Sequence, residues 1–345
     1  MELLITIGPW QSLFACAALW QLGVKPEDVE VIVVHEISEE NLVEPCRRIH
    51  ESQGHCFLGG MDIRTVSKGS FSGQQRELLK RISKARRIWC GGLGGKARWL
   101  VEYLPMVPLV TYEDGLISMS ASFAYGSAWE QSWWQRFYYR VRKSASKHRP
   151  WLRREDFRRL DLIVTSLDEI YPSQDAPRAR RLRVEPESLR TVLNAGWCPA
   201  VEFPAAVKPR ALVLGSNFTK VDIITPSQEY GAIERTIELL SERYEVWWKA
   251  HPRADPLYTR YLQLRHPALK TLDEQVQWVP VEAFIPKADF QLLVSPMSSS
   301  LLYAKKIYGV ETRFSPGFGE LLATLNNQEF VRIYRWLRKY ISVLE

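Results

Sequence analysis

The sequence predicts an α/β protein made of two doubly wound halves, and three observations carry that prediction. Short apolar runs alternate with helix-patterned segments along the 345 residues, the signature of parallel sheets covered by helices. Each half opens in the same way, with an apolar strand, a tight turn of small residues and then a helical pattern, first at residues 3–20 and again from residue 210. Between the halves, residues 197–209 carry Pro199, Pro204 and Pro209 with little periodicity, as an interdomain linker does. Either half is long enough to bury its own core. The predicted units are 1–200 and 209–325, with a C-terminal helix over 326–345 that packs back on the first.

Residues 3–7 form the opening strand, broken by Gly8-Pro9. Ser12 is placed to cap the helix that follows, whose residues 13–20 are apolar throughout. Residues 29–34 are near-continuously apolar, as buried parallel strands are. A strand over 87–90 runs into Gly91, Gly92, Gly94, Gly95 and Lys96. These glycines lack phosphate-loop spacing and read as a turn. The strand over 108–112 ends in Glu113-Asp114-Gly115. Asp-Gly suits a turn. An Asp with an ordinary pKa of about 4 is also ionised at neutral pH, so it can accept a proton from a hydroxyl. The residues alone leave both readings open.

Residues 126–159 interleave Trp133, Trp134, Phe137, Tyr138 and Tyr139 with ten basic residues, among them Arg136, Arg140, Arg142 and Lys143. Three acidic residues oppose them, so the local excess equals the net charge of +7 for the whole chain. Interleaved aromatic and cationic residues suit an anionic partner, either a membrane surface or an acidic glycan. Residues 161–166 are a further strand.

In the second half, residues 210–214 form a buried strand that turns at Gly215-Ser216-Asn217. Ser227 precedes a helical pattern as its expected cap. The run Tyr244-Glu245-Val246-Trp247-Trp248-Lys249 is strand-like and ends in Ala250-His251-Pro252. Pro252 keeps its predecessor extended, which puts His251 at a strand's C-terminal end, the edge where open α/β sheets bind ligands. A short strand over 276–279 leads into Pro280-x-Glu282, suited to a helix start. A last apolar strand over 290–294 runs into Ser298-Ser299-Ser300 and a helix. Hydroxyls and free N–H groups at a helix start make a phosphate cradle.

In their order along residues 1–320 these motifs resemble those of the bacterial sialyltransferases and polysialyltransferases. Glu113-Asp114-Gly115 matches that group's acidic-acidic-Gly motif, His251-Pro252 its His-Pro motif, and Ser298-Ser299-Ser300 contains its serine pair. The turn at Ser216-Asn217 departs from the family pattern. The resemblance implies a GT-B architecture, two Rossmann-like domains facing across a cleft. It implies no cofactor and no metal, and a CMP-activated sialic (nonulosonic) acid as donor. The acceptor would be a glycan, lipid-linked or acidic. Asp114 would be the base, and His251 would stabilise or protonate the departing phosphate. Donor binding would fall to Gly215, Ser216, Asn217, Lys249, Pro252, Pro280, Glu282, Ser298, Ser299 and Ser300. Glu113, Arg136, Arg140, Arg142 and Lys143 would form the acceptor or anion patch. A Kdo transferase or a CDP-glycerol-type transferase shares these features.

Other classes fit less well. No nucleic-acid motif accompanies the basic segment, so nucleic acid is not an expected partner. Five cysteines without a Cys-x-x-Cys pair argue for a reducing compartment. Cys46, His50, His55 and Cys56 match no familiar zinc spacing and read as a chance cluster. The N-terminus has no positive n-region and reads as a strand, and no apolar run reaches the roughly 18 residues of a membrane span. The expected location is the cytoplasm, peripheral at the inner face of the membrane.

Overall fold

The computed structural model describes residues 1–35, 37–62, 80, 83–91, 107–113, 160–166, 179–195, 197–199, 201–219, 223–273, 276–324 and 328–345. The chain divides into two compact units, Met1–Trp197 and Cys198–Glu345.

Unit 1 holds a seven-stranded sheet of β1 (Glu2–Thr6), β2 (Val29–His35), β3 (Cys56–Asp62), β4 (Arg87–Gly91), β5 (Leu109–Tyr112), β6 (Leu160–Thr165) and β7 (Arg180–Arg183). Its order is β3-β2-β1-β4-β5-β6-β7, and every neighbouring pair is parallel. Helices α1 (Pro9–Gln21), α2 (Val43–Ser52) and α3 (Pro186–Leu193) accompany it. Strand β1 is buried at all five positions, which is why its sequence is nearly all apolar. Helix α1 is buried from Pro9 to Leu19 at every residue but Trp10. It starts earlier than Ser12 implies, because Gly8 is the N-cap and Pro9 takes the first turn. Proline fits there, since its missing N–H would have no intrahelical partner. Ser12 therefore lies one turn inside, its hydroxyl donating to the Gly8 carbonyl at 3.1 Å.

Unit 2 holds a six-stranded sheet of β8 (Arg210–Leu214), β9 (Glu245–Lys249), β10 (Lys270–Thr271), β11 (Phe290–Ser295), β12 (Glu311–Phe314) and β13 (Ser342–Val343). The order is β10-β9-β8-β11-β12-β13, again parallel throughout. Around it lie α4 (Pro226–Ser241), α5 (Pro256–Arg265), α6 (Ile285–Ala288), α7 (Ser299–Tyr308), α8 (Phe318–Ala323) and α9 (Gln328–Leu337). Alternation along β9 decides the chemistry of its two faces. Val246 and Trp248 enter a core with Ala211, Val213, Ile233, Ile237 and Leu262. Trp247 and Lys249 take the opposite face, where Trp247 meets Phe203 edge-on at 5.2 Å.

Three local expectations change. Thr225, not Ser227, caps α4 and forms a reciprocal capping box with Gln228, because Pro226 takes the first helical position. Residues 276–279 are a turn, with Val279 N–H donating to the Val276 carbonyl at 3.0 Å; two valines sufficed to suggest a strand, but no sheet partner is there. Residues 328–345, expected within a single helix, form α9 and then β13, whose partner is β12.

Two central strands of unit 1 are fastened by a buried carboxylate. Glu2 is 3% exposed. It accepts from Arg87 Nε at 2.9 Å, Arg87 Nη2 at 3.0 Å and Trp89 Nε1 at 2.7 Å, linking β1 to β4. Glu2→Ala would leave the indole N–H and guanidinium without that acceptor, so it is expected to destabilise unit 1 by about 3 kcal/mol. Glu2→Gln, which retains one acceptor, should cost less. Urea unfolding measures both, and a Glu2→Ala loss below about 1 kcal/mol would show that the pairing is not a major constraint.

Candidate functional site in unit 2

Because β9, β8 and β11 are parallel neighbours, their C-terminal ends share one edge of the sheet. Strand order reverses between β8 and β11, the switch point at which such sheets open a crevice for ligands. Three turns leave that edge: Gly215-Ser216-Asn217 after β8, Ala250-His251-Pro252 after β9, and the serine-rich turn after β11.

Gly215 lets the first two turns meet. Its N–H donates to the Lys249 carbonyl at 2.9 Å. A Cβ at this position would lie 2.9 Å from both the His251 nitrogen and the Trp248 ring, so the approach requires glycine. Ser216 is buried and its hydroxyl donates to Glu229, which also receives the Thr219 hydroxyl and the Thr219 N–H at 3.0 Å. Ser216 thus fastens its own turn to the first turn of α4. Asn217 beside it is half-buried.

Lys249 is 7% exposed, and its ammonium donates to the Gln277 carbonyl at 2.8 Å. Burial lowers its pKa to about 8, against the opposing pull of Glu282. His251 follows at the strand's end. Its Nδ1 accepts the Arg253 N–H at 3.1 Å, which leaves the ring proton on Nε2. Burial, then Lys249, then Arg253 hold its pKa at about 3. His251 is therefore a neutral imidazole with a donating Nε2–H. Pro252 is half-buried in the turn.

Pro280 is the N-cap of a 3₁₀ turn, Val281–Ala283. Within it Glu282 is 1% exposed. Burial raises its pKa, while hydrogen bonding to its own N–H and the Ser300 hydroxyl, and the charge of Lys249, act in the opposite sense. Glu282, expected among the donor-binding residues, is held inside the protein, where the Ser300 hydroxyl bonds to its carboxylate and the Lys249 charge acts on it. The three serines take different parts. Ser298 is the N-cap of α7, accepting the Ser300 N–H at 3.2 Å. Ser300 turns to Glu282. Ser299 leads the helix, half-buried. Lys249, Glu282, Ser300 and Ser298 thus form one connected set beside His251.

In unit 1, Glu113 follows β5 and is fully buried. Its carboxylate accepts from the Thr165 hydroxyl at 3.0 Å, the Ser166 N–H at 2.7 Å and the Ser166 hydroxyl at 3.0 Å, and its N–H donates to the Val164 carbonyl at 3.1 Å. Glu113, expected in the acceptor patch, is thus a carboxylate bound three times at the end of β6, where it anchors its strand end. Asp114, Arg136, Arg140, Arg142 and Lys143 lie outside the described residues. Two groups that shape the unit 2 sheet edge were not anticipated from the sequence. Glu229 looked like an ordinary acid in a helix's first turn, and the Gln277 carbonyl is a backbone group that any residue supplies.

Chains of known structure share this architecture. The S. aureus MnaA–UDP structure aligns with 97% of this chain and 87% of its own, at 11% identity and TM-score 0.54. A putative UDP-N-acetylglucosamine 2-epimerase from Listeria monocytogenes aligns over 98% and 87%, at 12% identity and TM-score 0.56. The glycosyltransferase VinC, in complex with dTDP, aligns over 99% and 86%, at 13% identity and TM-score 0.50. Identities this low establish the fold and not the reaction. No curated protein matches the chain. Residues 97–315 match the model of the family described as alpha-2,8-polysialyltransferase (POLYST). That match spans more than half of the sequence and contains the acidic-acidic-Gly, His-Pro and serine motifs. The chain belongs to the alpha-2,8-polysialyltransferase family and is a glycosyltransferase of GT-B fold.

Proposed function

We propose that this protein transfers a sialic acid from a CMP-activated donor to a glycan acceptor by a single inverting displacement, with no metal ion in the transfer step. The acceptor oxygen bonds to the anomeric carbon as the bond to the phosphate oxygen breaks, and CMP leaves. The observation that carries this reading is the set at the unit 2 sheet edge, a neutral donating imidazole beside a buried lysine and a serine-capped helix start. Charge appears on the phosphate as the bond breaks. His251 Nε2–H, the Lys249 field and the α7 N-terminus all favour negative charge there. His251 acts as a hydrogen-bond donor, since burial and its cationic neighbours resist its protonation. Glu282 positions Ser300 and Lys249. Asp114 takes the acceptor proton, with Glu113 anchoring the adjoining strand end. In this reading the protein works in surface polysaccharide or lipooligosaccharide synthesis at the inner face of the membrane. A panel of CMP-sialic acid, CMP-Kdo and CDP-glycerol checks the donor, and turnover of either alternative alone would replace it.

The base assignment has a direct test. Asp114→Asn is expected to retain CMP affinity while losing roughly 10²–10⁴-fold in turnover, whereas Glu113→Ala should lower both melting temperature and rate. A folded Asp114→Asn protein with ordinary turnover would remove Asp114 from the mechanism.

The phosphate end makes a pH prediction. Lys249 carries its charge below about 8 and loses it above, so kcat/KM for the donor should fall as pH rises through that value. His251, with its pKa near 3 in the free protein, should add no limb at the ordinary histidine value of about 6.5. His251→Ala should lower the rate without moving the alkaline limb, and Lys249→Met should abolish that limb. A limb near 6.5 that disappears in His251→Ala would instead make the imidazole a general acid. Calorimetry with CMP in metal-free buffer should show binding, and a strict cation requirement would count against the proposed chemistry.

Among the described residues no helix is long and apolar enough to cross a membrane. The proposed membrane contact rests on the basic aromatic segment 126–159. Each basic residue near an anionic bilayer contributes on the order of 1 kcal/mol. Reversing the charges of Arg140, Arg142 and Lys143 together should reduce sedimentation with phosphatidylserine vesicles at low salt and leave turnover of a short soluble acceptor nearly unchanged. Wild-type protein that ignores such vesicles would exclude this role.

A further inference from the structure

Residues that are scattered in sequence converge inside unit 1. We propose that Cys16, His50 and His55 form a buried binding site for a transition-metal cation of the zinc class. Cys16 comes from the middle of α1, His50 from the last turn of α2, and His55 from the turn before β3. They are 1%, 0% and 8% exposed. Cys16 Sγ lies 3.3 Å from His50 Nδ1 and 3.9 Å from His55 Nδ1, and the two Nδ1 atoms are 3.1 Å apart. A tetrahedral zinc with Zn–N of about 2.05 Å and Zn–S of about 2.3 Å requires N···N of about 3.3 Å and S···N of about 3.6 Å. The two S···N distances, 3.3 and 3.9 Å, lie on either side of the value required, and the N···N distance of 3.1 Å is slightly shorter than its own.

The backbone is built to make this meeting. Gly54 has φ of +77°, a conformation that favours glycine, and it ends α2 so that the His55 N–H donates to the His50 carbonyl at 3.0 Å. That turn brings both Nδ1 atoms to the same point above Cys16. Cys46, also buried, sits one turn before His50 on α2.

The chemistry of the set selects the ligand class. One thiol and two imidazoles suit zinc and copper, whereas magnesium and calcium need oxygen donors. Burial raises the Cys16 thiol far above its ordinary value and holds both imidazoles below theirs, so the trio is uncharged without a cation. On binding a zinc ion, the thiol releases its proton to solvent and coordinates as thiolate, while the two imidazoles coordinate through the Nδ1 lone pairs as neutral groups. One bound cation would tie α1 to the α2–β3 turn. The sequence suggested instead a chance cluster of Cys46, His50, His55 and Cys56. Cys16, which completes the set, lies 34 residues from His50, while Cys56 is exposed.

The test uses the full-length protein and zinc alone, and its readout is metal content, so it stands apart from the transfer reaction. After incubation with excess zinc and exhaustive dialysis, elemental analysis should find about one zinc per chain, and added zinc should raise the melting temperature. Replacement by cobalt should produce the intense absorption of a thiolate-bound tetrahedral ion. Cys16→Ser and His55→Ala should each weaken retention at least about tenfold. Wild-type protein that retains less than about 0.1 zinc per chain and shows no cobalt–thiolate band would overturn the proposal, leaving a neutral hydrogen-bonded trio. Equal retention in wild type and both variants would place bound zinc elsewhere and overturn it as well.

Discussion

Holding the Lys249 ammonium almost out of water at the end of β9 is the constraint on which the site in unit 2 depends. With its pKa brought down to about 8, the charged form costs on the order of 3 kcal/mol at neutral pH. The sign follows from burial. The native state resists the proton more than the unfolded chain does, so the cost is full below about 8 and is relieved as pH rises toward the unfolded value. Everything around the ammonium answers this cost. The Gln277 carbonyl accepts from it, Glu282 supplies opposite charge, and Ser300 holds Glu282. The same charge helps to keep His251 neutral. On the function proposed above, an anionic phosphate arriving at this edge interacts with a cation that the protein has only partly compensated.

Two buried carboxylates play the corresponding part in unit 1, and both act on strand ends. Glu2 ties the start of β1 to β4 through Arg87 and Trp89. Glu113 ties the end of β5 to Thr165 and Ser166 at the end of β6. A parallel sheet leaves the last N–H and C=O groups of each strand without ladder partners, and a side chain that supplies them fixes where the strand stops. Glu113 does this one residue before the proposed base. Its buried, hydrogen-bonded state gives one of the two adjacent carboxylates a structural part, and the function proposed above assigns the chemistry to the other.

The glycosyltransferase reading and the proposed cation site have different physical bases. The first rests on strand ends that any doubly wound sheet brings together, furnished with side chains that suit a phosphate. The second rests on helix packing, with α1 against the C-terminal turn of α2, and its ligands come from positions that alternation along a strand does not reach. Unit 1 carries the proposed cation, and unit 2 the phosphate-directed set. No described residue belongs to both.

Much of the architecture was legible in the chain because apolar periodicity is local. Strands β1, β2, β4, β5, β6, β8, β9 and β11 all follow runs whose burial on both faces demands continuous apolar sequence. Strands β3, β7, β10, β12 and β13 were not anticipated. Arg180–Arg183 and Ser342–Val343 have no apolar run of their own and are strands because a neighbour offers a ladder edge. Placement of His251 at a strand's C-terminal end was likewise local, dictated by Pro252 after an apolar run. What tertiary structure alone decided was partnership. That Glu282 meets Ser300 and not solvent, that Glu113 binds Ser166, and that Cys16 meets two histidines 34 and 39 residues away all depend on which elements pack together. Sequence patterns report how much of each side chain is buried, because burial follows from period and polarity. They carry no record of which polar group lies opposite, because the order of strands in a sheet and the seating of helices on it are set by the chain as a whole.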